Sequence, residues 1–480
     1  QSLKAVVLGE GLRLLGAAAR SYEPRFPQPL WAEQDPALWL DALRPAIAGA
    51  LGQAKLQASA IGALGIAGQL DGCLPVDGEG RALGPCLIWM DRRASREIEG
   101  VPPALVMEKA GVVLDPSHMA AKIRWLKRHH PEAARIRRFH QPVSYAVWRL
   151  TGRHVIDDAV ASTTMLYSLW DRALDAELCA LFRIEPDELP AIDRAEAVAG
   201  ELGQAGAALT GLKPGIPVAV GTGDDFSNPL GAGIVEPGRA VVALGTAEVV
   251  GAVHPQAVID KRALVETHGY AGGRFFVENP GWLSGGALAW FIETFRLTDV
   301  AELDALAAAA PAGSGGVTFL PALSGAMAPE WNSAARGVFY GLTAAHGTAH
   351  LARAVLEGCA FAMRDVVGRL DELGVDARRL LLLGGGARSR IWAQIRADLV
   401  QRPVEIAAVA DGSPIGAALL AAVASGAAPS LDAAAAAIAP ATSQVEPDPR
   451  TRAAYDEAYG RYGRLFATLK PMFGEATTAR

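Results

Sequence analysis

Cysteine is scarce in this sequence, and what there is excludes two kinds of scaffold. Only Cys73, Cys86, Cys179 and Cys359 occur in 480 residues, with no C-x-x-C pair among them. Neither a disulfide framework nor a zinc site follows from such spacing, so the four are expected to be reduced core residues of a cytoplasmic protein. A basic surface is also missing: the formal charge is -6, which leaves no counterion-releasing face for nucleic acid. Apolar runs such as 415–424 are too short and too alanine-rich to cross a bilayer, and no basic-then-apolar signal segment opens the chain. Aromatics are sparse, at 6%, while glycines number 52, so helices are expected to pack through small side chains. A small-molecule partner is what remains, without nucleic acid or membrane, and a homodimer is compatible with the composition.

The length exceeds one ordinary hydrophobic core and predicts two domains of roughly 200 residues or more with a cleft between them. Helical and strand patterns alternate throughout, which predicts an α/β architecture. A β-rich run at 217–220 ends in Gly221-Thr222-Gly223-Asp224 and puts a carboxylate where a strand opens into a loop, a usual ligand position in α/β proteins. Residues 240–244 and 249–253 read as two strands joined by a tight turn at Gly245-Thr246. The opening residues, Gln1-Ser2 and then 3–8, resemble the second half of the same device, which suggests an internal duplication divided near Glu236. Domains at 1–236 and 237–480 are therefore expected.

Further on, Leu351, Val355, Ala362, Val366, Leu370 and Leu373 recur at the spacing of one buried helix face, stopped by Gly374. A buried strand at 380–383 then leads through Gly384-Gly385-Gly386 to Ser389, the expected N-cap of a helix carrying Ile391, Ile395 and Leu399. Ser413-Pro414 is expected to cap and open another helix, closing at Gly426. Alanine-rich stretches at 307–310 and 433–437 read as surface or packing helices.

Chemistry concentrates in a few places. The triple glycine lets backbone N–H groups approach an anion, but no Gly-Lys-Ser/Thr follows, so it is not a P-loop. The dinucleotide fingerprint is also incomplete. Gly245-Thr246 offers a backbone N–H and a hydroxyl to phosphates, or is simply a hairpin turn. Asp224 and Asp225 read either as a base with a metal partner or as a solvated loop with an N-cap. In the first half, Gln69, Asp71, Trp89, Asp91, Arg92 and Arg93 suit a polyol, with acceptors for hydroxyls and an indole for the C–H face. The competing reading is a turn at Asp71-Gly72 and surface ion pairs at 91–93. His129-His130 lies on a basic, exposed helix end and is not expected to bind metal.

Gly337-Val338-Phe339-Tyr340-Gly341-Leu342, then His350-Leu351, then Ala354-Val355-Leu356-Glu357 resembles the C-terminal signature of the FGGY carbohydrate kinases. Lys122-Ile123-Arg124-Trp125-Leu126 with Arg128-His129 resembles the N-terminal signature, although Met119 stands where Pro, Ser or Thr is usual. Residues 31–36, 221–224, 245–246, 283–286 and 384–389 fall in family order, so the resemblance covers essentially the whole chain and is strongest to the xylulokinase branch.

That resemblance implies two actin-like ATPase domains with a ribonuclease-H-like core and an active-site cleft between them. It implies ATP and Mg2+, with Asp224 as catalytic base and Gln69, Leu70, Asp71, Trp89 and Asp91 toward the sugar. Ser2, Gly245, Thr246, Gly285, Gly385, Gly386 and Ala387 would face the nucleotide. The family's Asp-x-Gly-Thr turn precedes the residues matching Gln1 and Ser2, and its magnesium-holding Asp is not in this chain; Gln1 is not a natural start. Where xylulokinases typically carry Gln-Met-His-Gly, this chain has Gln69-Leu70-Asp71-Gly72, exchanging a ring for an acceptor carboxylate. The implied reaction is phosphorylation of D-xylulose to D-xylulose 5-phosphate, with D-ribulose or a pentitol such as xylitol as the alternative acceptor. A nucleotide switch or sugar sensor that has lost transfer is the reading from another class, and an actin-like filament is a third.

Overall fold

The computed structural model describes residues 1–407, 411–438 and 442–474. Strands β1 (Ser2–Leu8) and β2 (Leu14–Ser21) form an antiparallel hairpin, and helix α1 (Pro36–Ala54) lies against it. Asp35 caps α1 through its side chain, and Pro36 occupies the first helical position, where a missing N–H costs nothing. Two very short strands, β3 (Ala67–Gly68) and β4 (Thr222–Gly223), run parallel to each other, with α2 (Met119–His129) between them in sequence. Helix α3 (Asp224–Gly231) begins directly after β4.

The second half is built on one seven-stranded sheet. Its members are β5 (Arg239–Leu244), β6 (Ala247–His254), β7 (Glu266–Tyr270), β8 (Arg274–Leu283), β9 (Arg379–Leu383), β10 (Val404–Ala407) and β11 (Thr442–Val445), in the order β7-β8-β6-β5-β9-β10-β11. β5 and β6 form the expected hairpin, Ala240 opposite Ala252 and Leu244 opposite Glu248. At the chain's start β1 pairs antiparallel with β2, and β6 likewise pairs antiparallel with β8. β9 is parallel to β5 and buried at Leu380, Leu381, Leu382 and Leu383, so its sequence is continuously apolar rather than alternating.

Helix α4 (Gly285–Phe295), the long α5 (Thr348–Glu372) and α6 (Arg390–Val400) pack on this sheet, while α7 (Ser413–Ala424) lies against α3 and β1. α5 buries Val355, Ala362, Val366 and Leu370 on one face, and Gly374 follows in the left-handed region at φ 76°. Ser389 caps α6 by accepting from Trp392 N–H, as its position predicts. α7 differs by one residue from expectation, since Gly412 is its N-cap and Ser413 already lies in the first turn. The alanine-rich stretches fall in helices Val300–Ala309 and Leu431–Ile438. All four cysteines are free and buried, and among the described residues no helix is long and apolar enough to cross a membrane.

One core is shared by both halves of the chain. Phe226 and Leu230 of α3 cluster with Val241, Phe276, Leu381, Leu383, Ile415 and Leu419. α3 meets α7 at near-backbone distance: a Cβ added at Gly416 would lie 2.0 Å from Ser227 O. Only glycine permits that approach, and Ser227 Oγ fastens it by donating to Ser413 O at 2.7 Å. The start of α3, and so Asp224, is fixed against the sheet of the other half.

Candidate active site

A cleft of about 1820 Å3 separates the two halves, and Asp224 opens into it. The carboxylate does not sit in a loop, as the sequence pattern suggested, but on the first residue of α3, because Gly223 takes up the extended N-cap conformation and β4 runs straight into the helix. Its side chain is water-accessible through the cleft while protein surrounds it at longer range. That surrounding protein raises its pKa, the backbone N–H groups of Asp224 and Asp225 pull it down, and Asp411 raises it again. The open cleft limits the rise. Asp225 is pushed up by burial, then by Asp224 and Asp71. Of two adjacent carboxyls with such environments, one tends to keep its proton and the other to ionise.

Gln69, Leu70, Asp71 and Trp89 line the same cleft, as does Ser2. Gln69 donates from Nε2 to Gln34 Oε1 at 2.7 Å, and its own Oε1 is buried with no partner. Trp89 is 46% exposed, which leaves an indole face available. Asp71 has a positive φ of 55°, a conformation that Asp tolerates better than most residues. It is both the turn residue and a wall of the cleft. Lys122 explains part of the N-terminal signature: buried, it donates from Nζ to Asp71 O at 2.6 Å and to Ile88 O at 2.8 Å, tying the 69–72 turn to the segment carrying Trp89.

Asp91 is a correction. It is fully buried and away from the cleft wall. Its carboxylate accepts from Ala32 N at 2.7 Å and from Arg93 N at 3.1 Å, and pairs with the Arg93 guanidinium at 2.7 Å. Arg93 is itself buried and stacks 3.6 Å over Trp31. With every acceptor site used, Asp91 supports the Trp89 segment from behind and has nothing left for a hydroxyl. The expected surface ion pairs at 91–93 are thus interior at Asp91 and Arg93, while Arg92 reaches the cleft and pairs with Asp115.

Five polar cleft residues that the site uses were not singled out by sequence reasoning: Asp411, and the cluster of His118, Glu266, His268 and Glu278. His118 Nδ1 lies 3.1 Å from Asp71 Oδ1 and its Nε2 lies 3.6 Å from Glu266 Oε1. Glu266 accepts from Val113 N at 2.7 Å and faces His268 Nε2 at 3.5 Å, which in turn is 3.7 Å from Glu278. Burial works against a charge on His118, but Asp71 and Glu266 overcome it and push its pKa to about 10. Glu266 is buried too, yet the two imidazoles bring it down to about 2. Glu278 is raised well above its ordinary value, first by burial and then by Asp225, Glu266, Asp224 and Asp71. One signal was available: Glu266 and His268 are two apart on a strand, which puts them on one face.

The remaining expected residues gather as a second group. Gly245 and Thr246 form the β5–β6 turn, and Ser284 N and Gly286 N donate to Thr246 O at 3.1 and 3.0 Å. A Cβ at Gly285 would lie 2.2 Å from Gly245 O, so the start of α4 packs directly on that turn. Gly385, Gly386 and Ala387 follow β9 at the neighbouring strand end, with Ala387 buried. Gly245, Thr246 and Gly385 are exposed, but Gly245 N already donates to Ala247 O at 3.0 Å, so Thr246 and Gly385 are the ones left to meet an anion. Ala247, next in β6, already belongs to the cleft wall.

Among the described residues no three His, Cys, Asp or Glu side chains cluster as a ready-made metal cage. A magnesium ion carried by phosphates needs only one or two protein carboxylates. Asp224 and Asp411 fit that need, since both line the cleft and Asp411, which is paired with Lys4, is near enough to raise Asp224.

Comparison with known proteins identifies the family and the fold. The family model described as FGGY family of carbohydrate kinases, N-terminal domain, matches residues 1–231, and its C-terminal counterpart matches 240–425. The xylulose kinase of Escherichia coli (strain K12) is 32% identical over 477 residues, covering 98% of this chain and 97% of that protein. A glycerol kinase of Alkalilimnicola ehrlichii is also 32% identical, over 486 residues and 96% of each chain. The crystal structure of xylulose kinase from Rhodospirillum rubrum superposes with a TM-score of 0.89 at 31% identity, covering 98% of this chain and 96% of the other. The fold is therefore the two-domain, actin-like ATPase fold that these kinases share.

Proposed function

Because the chain belongs to the FGGY family of carbohydrate kinases, and so is a phosphotransferase with an alcohol group as acceptor, we propose that it phosphorylates a five-carbon ketose with ATP. D-xylulose to D-xylulose 5-phosphate is the leading reaction. The observation that carries the reading is the position of Asp224: a cleft-exposed carboxylate at a helix start, sharing its cavity with Gln69, Asp71 and Trp89.

Phosphoryl transfer asks a protein for in-line positioning, charge stabilisation and a base for the hydroxyl. The sugar hydroxyl oxygen attacks the terminal phosphorus of ATP, its proton passes to the Asp224 carboxylate, and the bond to the ADP oxygen breaks. The N-terminal end of α3 favours the ionised base. Gln69 and Asp71 orient hydroxyls, Leu70 packs beneath them, and the Trp89 indole covers the C–H face. Gly245, Thr246 and Gly285 lie against the phosphates with Ser2 opposite, while Gly385, Gly386 and Ala387 receive the adenosine side. Magnesium, when bound, neutralises phosphate charge; Asp224 and Asp411 would hold it. The cavity exceeds the roughly 300–1,000 Å3 of a one-ligand pocket; its lining holds the sugar-side residues and Ser2, and Ala247 marks its edge toward the glycine turns. We place the division between the two domains at 236/237, between the matched ranges.

D-ribulose and xylitol are the nearest alternatives, and glycerol is a further competitor because a glycerol kinase matches at the same 32% identity as the xylulose kinase. A coupled ADP-release screen with Mg-ATP over pentuloses, pentitols, hexuloses and glycerol tests the reading. Highest kcat/KM on a pentulose is expected; activity on glycerol and on no ketose would overturn the substrate assignment.

A further inference from the structure

The ring that xylulokinases typically carry in the Gln-x-x-Gly turn is replaced here by Asp71, yet an imidazole still stands at that point of the cleft. It arrives from another element. His118 precedes α2, lies 47 residues further along the chain, and places Nδ1 3.1 Å from Asp71 Oδ1. Its side chain is only 5% exposed, yet it is part of the cleft wall. Nε2 has no hydrogen-bond partner, since Glu266 Oε1, at 3.6 Å, is beyond hydrogen-bond reach. A buried polar atom left unpartnered is costly, about 1–3 kcal/mol and more for a charged group. The ring belongs to the wall of a binding cavity, and a ligand atom there is the partner that the occluded Nε2 lacks.

We propose that His118 is a specificity-determining residue for the sugar, donating its Nε2–H to a sugar oxygen, with Asp71 and Glu266 as the positioning residues that hold the ring. The inference rests on the reading of the cleft as a sugar site and deepens it. Asp71 takes up Nδ1–H, which fixes the ring plane. Glu266 is itself anchored by Val113 N–H, so the imidazole is held between one carboxylate from each half of the chain. Oδ1 of Asp71 is thereby taken up by His118, and beside that carboxylate the cleft also offers the sugar a donor. A ketose carbonyl or a hydroxyl lone pair satisfies it; a deoxy sugar lacking that oxygen does not, and leaves the donor unpaired.

The test uses the acceptor ranked first in the ADP-release screen, its deoxy analogues, wild-type protein and His118→Gln. Wild type is expected to discriminate against one deoxy position by about 10- to 100-fold in kcat/KM, the range of a hydrogen bond to a charged group. His118→Gln should lose a similar factor on the parent sugar, with KM for ATP unchanged, and should no longer discriminate at that one position. An equal loss on the parent and on every analogue would overturn the contact, because a purely structural defect acts that way. If His118→Gln does not fold, a sugar-bound crystal structure of the wild type decides: a sugar oxygen about 2.7–3.2 Å from Nε2 is expected, and none within hydrogen-bond reach refutes the proposal. A sugar that binds there without being phosphorylated would sink the transfer reading instead, leaving the His118 contact to be read from the same structure.

Discussion

Arg396 and Glu248 form a two-pronged ion pair with neither side chain exposed, Nη1 to Oε1 at 2.5 Å and Nη2 to Oε2 at 2.7 Å. Glu248 Oε2 also accepts from Ser284 Oγ at 2.6 Å. Three segments are thereby joined at one buried point: β6 just after the Gly245-Thr246 turn, the Ser284-Gly285 turn that starts α4, and α6, which follows Gly385 and Gly386. Every glycine turn on the nucleotide side hangs from this pair.

Removing one partner of a buried ion pair leaves the other uncompensated, at a cost of about 3–5 kcal/mol. Arg396→Met should lower unfolding free energy by about that amount and raise KM for ATP more than KM for the sugar. Denaturant melts with steady-state kinetics on both substrates check it; an unchanged midpoint contradicts the role.

His118 and Lys122 make opposite contributions to stability as pH changes. The folded pKa of His118, about 10, lies above its ordinary 6.5, so its contribution is fully present below pH 6.5 and is lost as pH rises toward 10. Burial lowers Lys122 from 10.5 to about 8, so the cost of its charge is fully present below pH 8 and is relieved as pH rises toward 10.5. Between pH 6.5 and 8 Lys122 does not change while the His118 contribution falls, and Asp225 and Asp365, raised to about 8 and about 7, titrate in wild type and variant alike. Over that interval the stability gap between wild type and His118→Gln should narrow by up to about 2 kcal/mol, at about 1.4 kcal/mol per pH unit. Thermal melts at the two pH values measure it, and a constant gap would contradict the charged imidazole.

The protein around Asp224 raises its pKa, with Asp411 adding to the rise, and a general base works only when ionised. The acid limb of kcat/KM should therefore have its midpoint above the ordinary carboxylate value of 3.8. Asp411→Asn should move that midpoint to lower pH, whatever it does to the amplitude. A pH–rate profile of the two proteins checks the direction.

How much of this was legible in the sequence depends on how local each feature is. The hairpin at Gly245-Thr246, the buried face of α5, and the strand, glycine turn and Ser389-capped helix in succession could each be read from a dozen residues, because turn chemistry and apolar period set them. Asp224 was legible through its glycine-rich surroundings, though not its place on a helix, since the chain turns from β4 to α3 with no loop. Asp91 was misread because its burial depends on Arg93 and Trp31, the latter sixty residues upstream. The cluster of Asp71, His118, Glu266, His268 and Glu278 draws on both halves of the chain, and no short window contains it.

The account stands most directly on Asp224. A base in position is worth about 10²- to 10⁴-fold in rate, so Asp224→Asn should lower kcat for sugar-dependent ADP release by that factor while binding of magnesium-free ATP, read by calorimetry, stays near the wild-type value. Sugar-dependent ADP release at the wild-type rate in that variant would contradict the account.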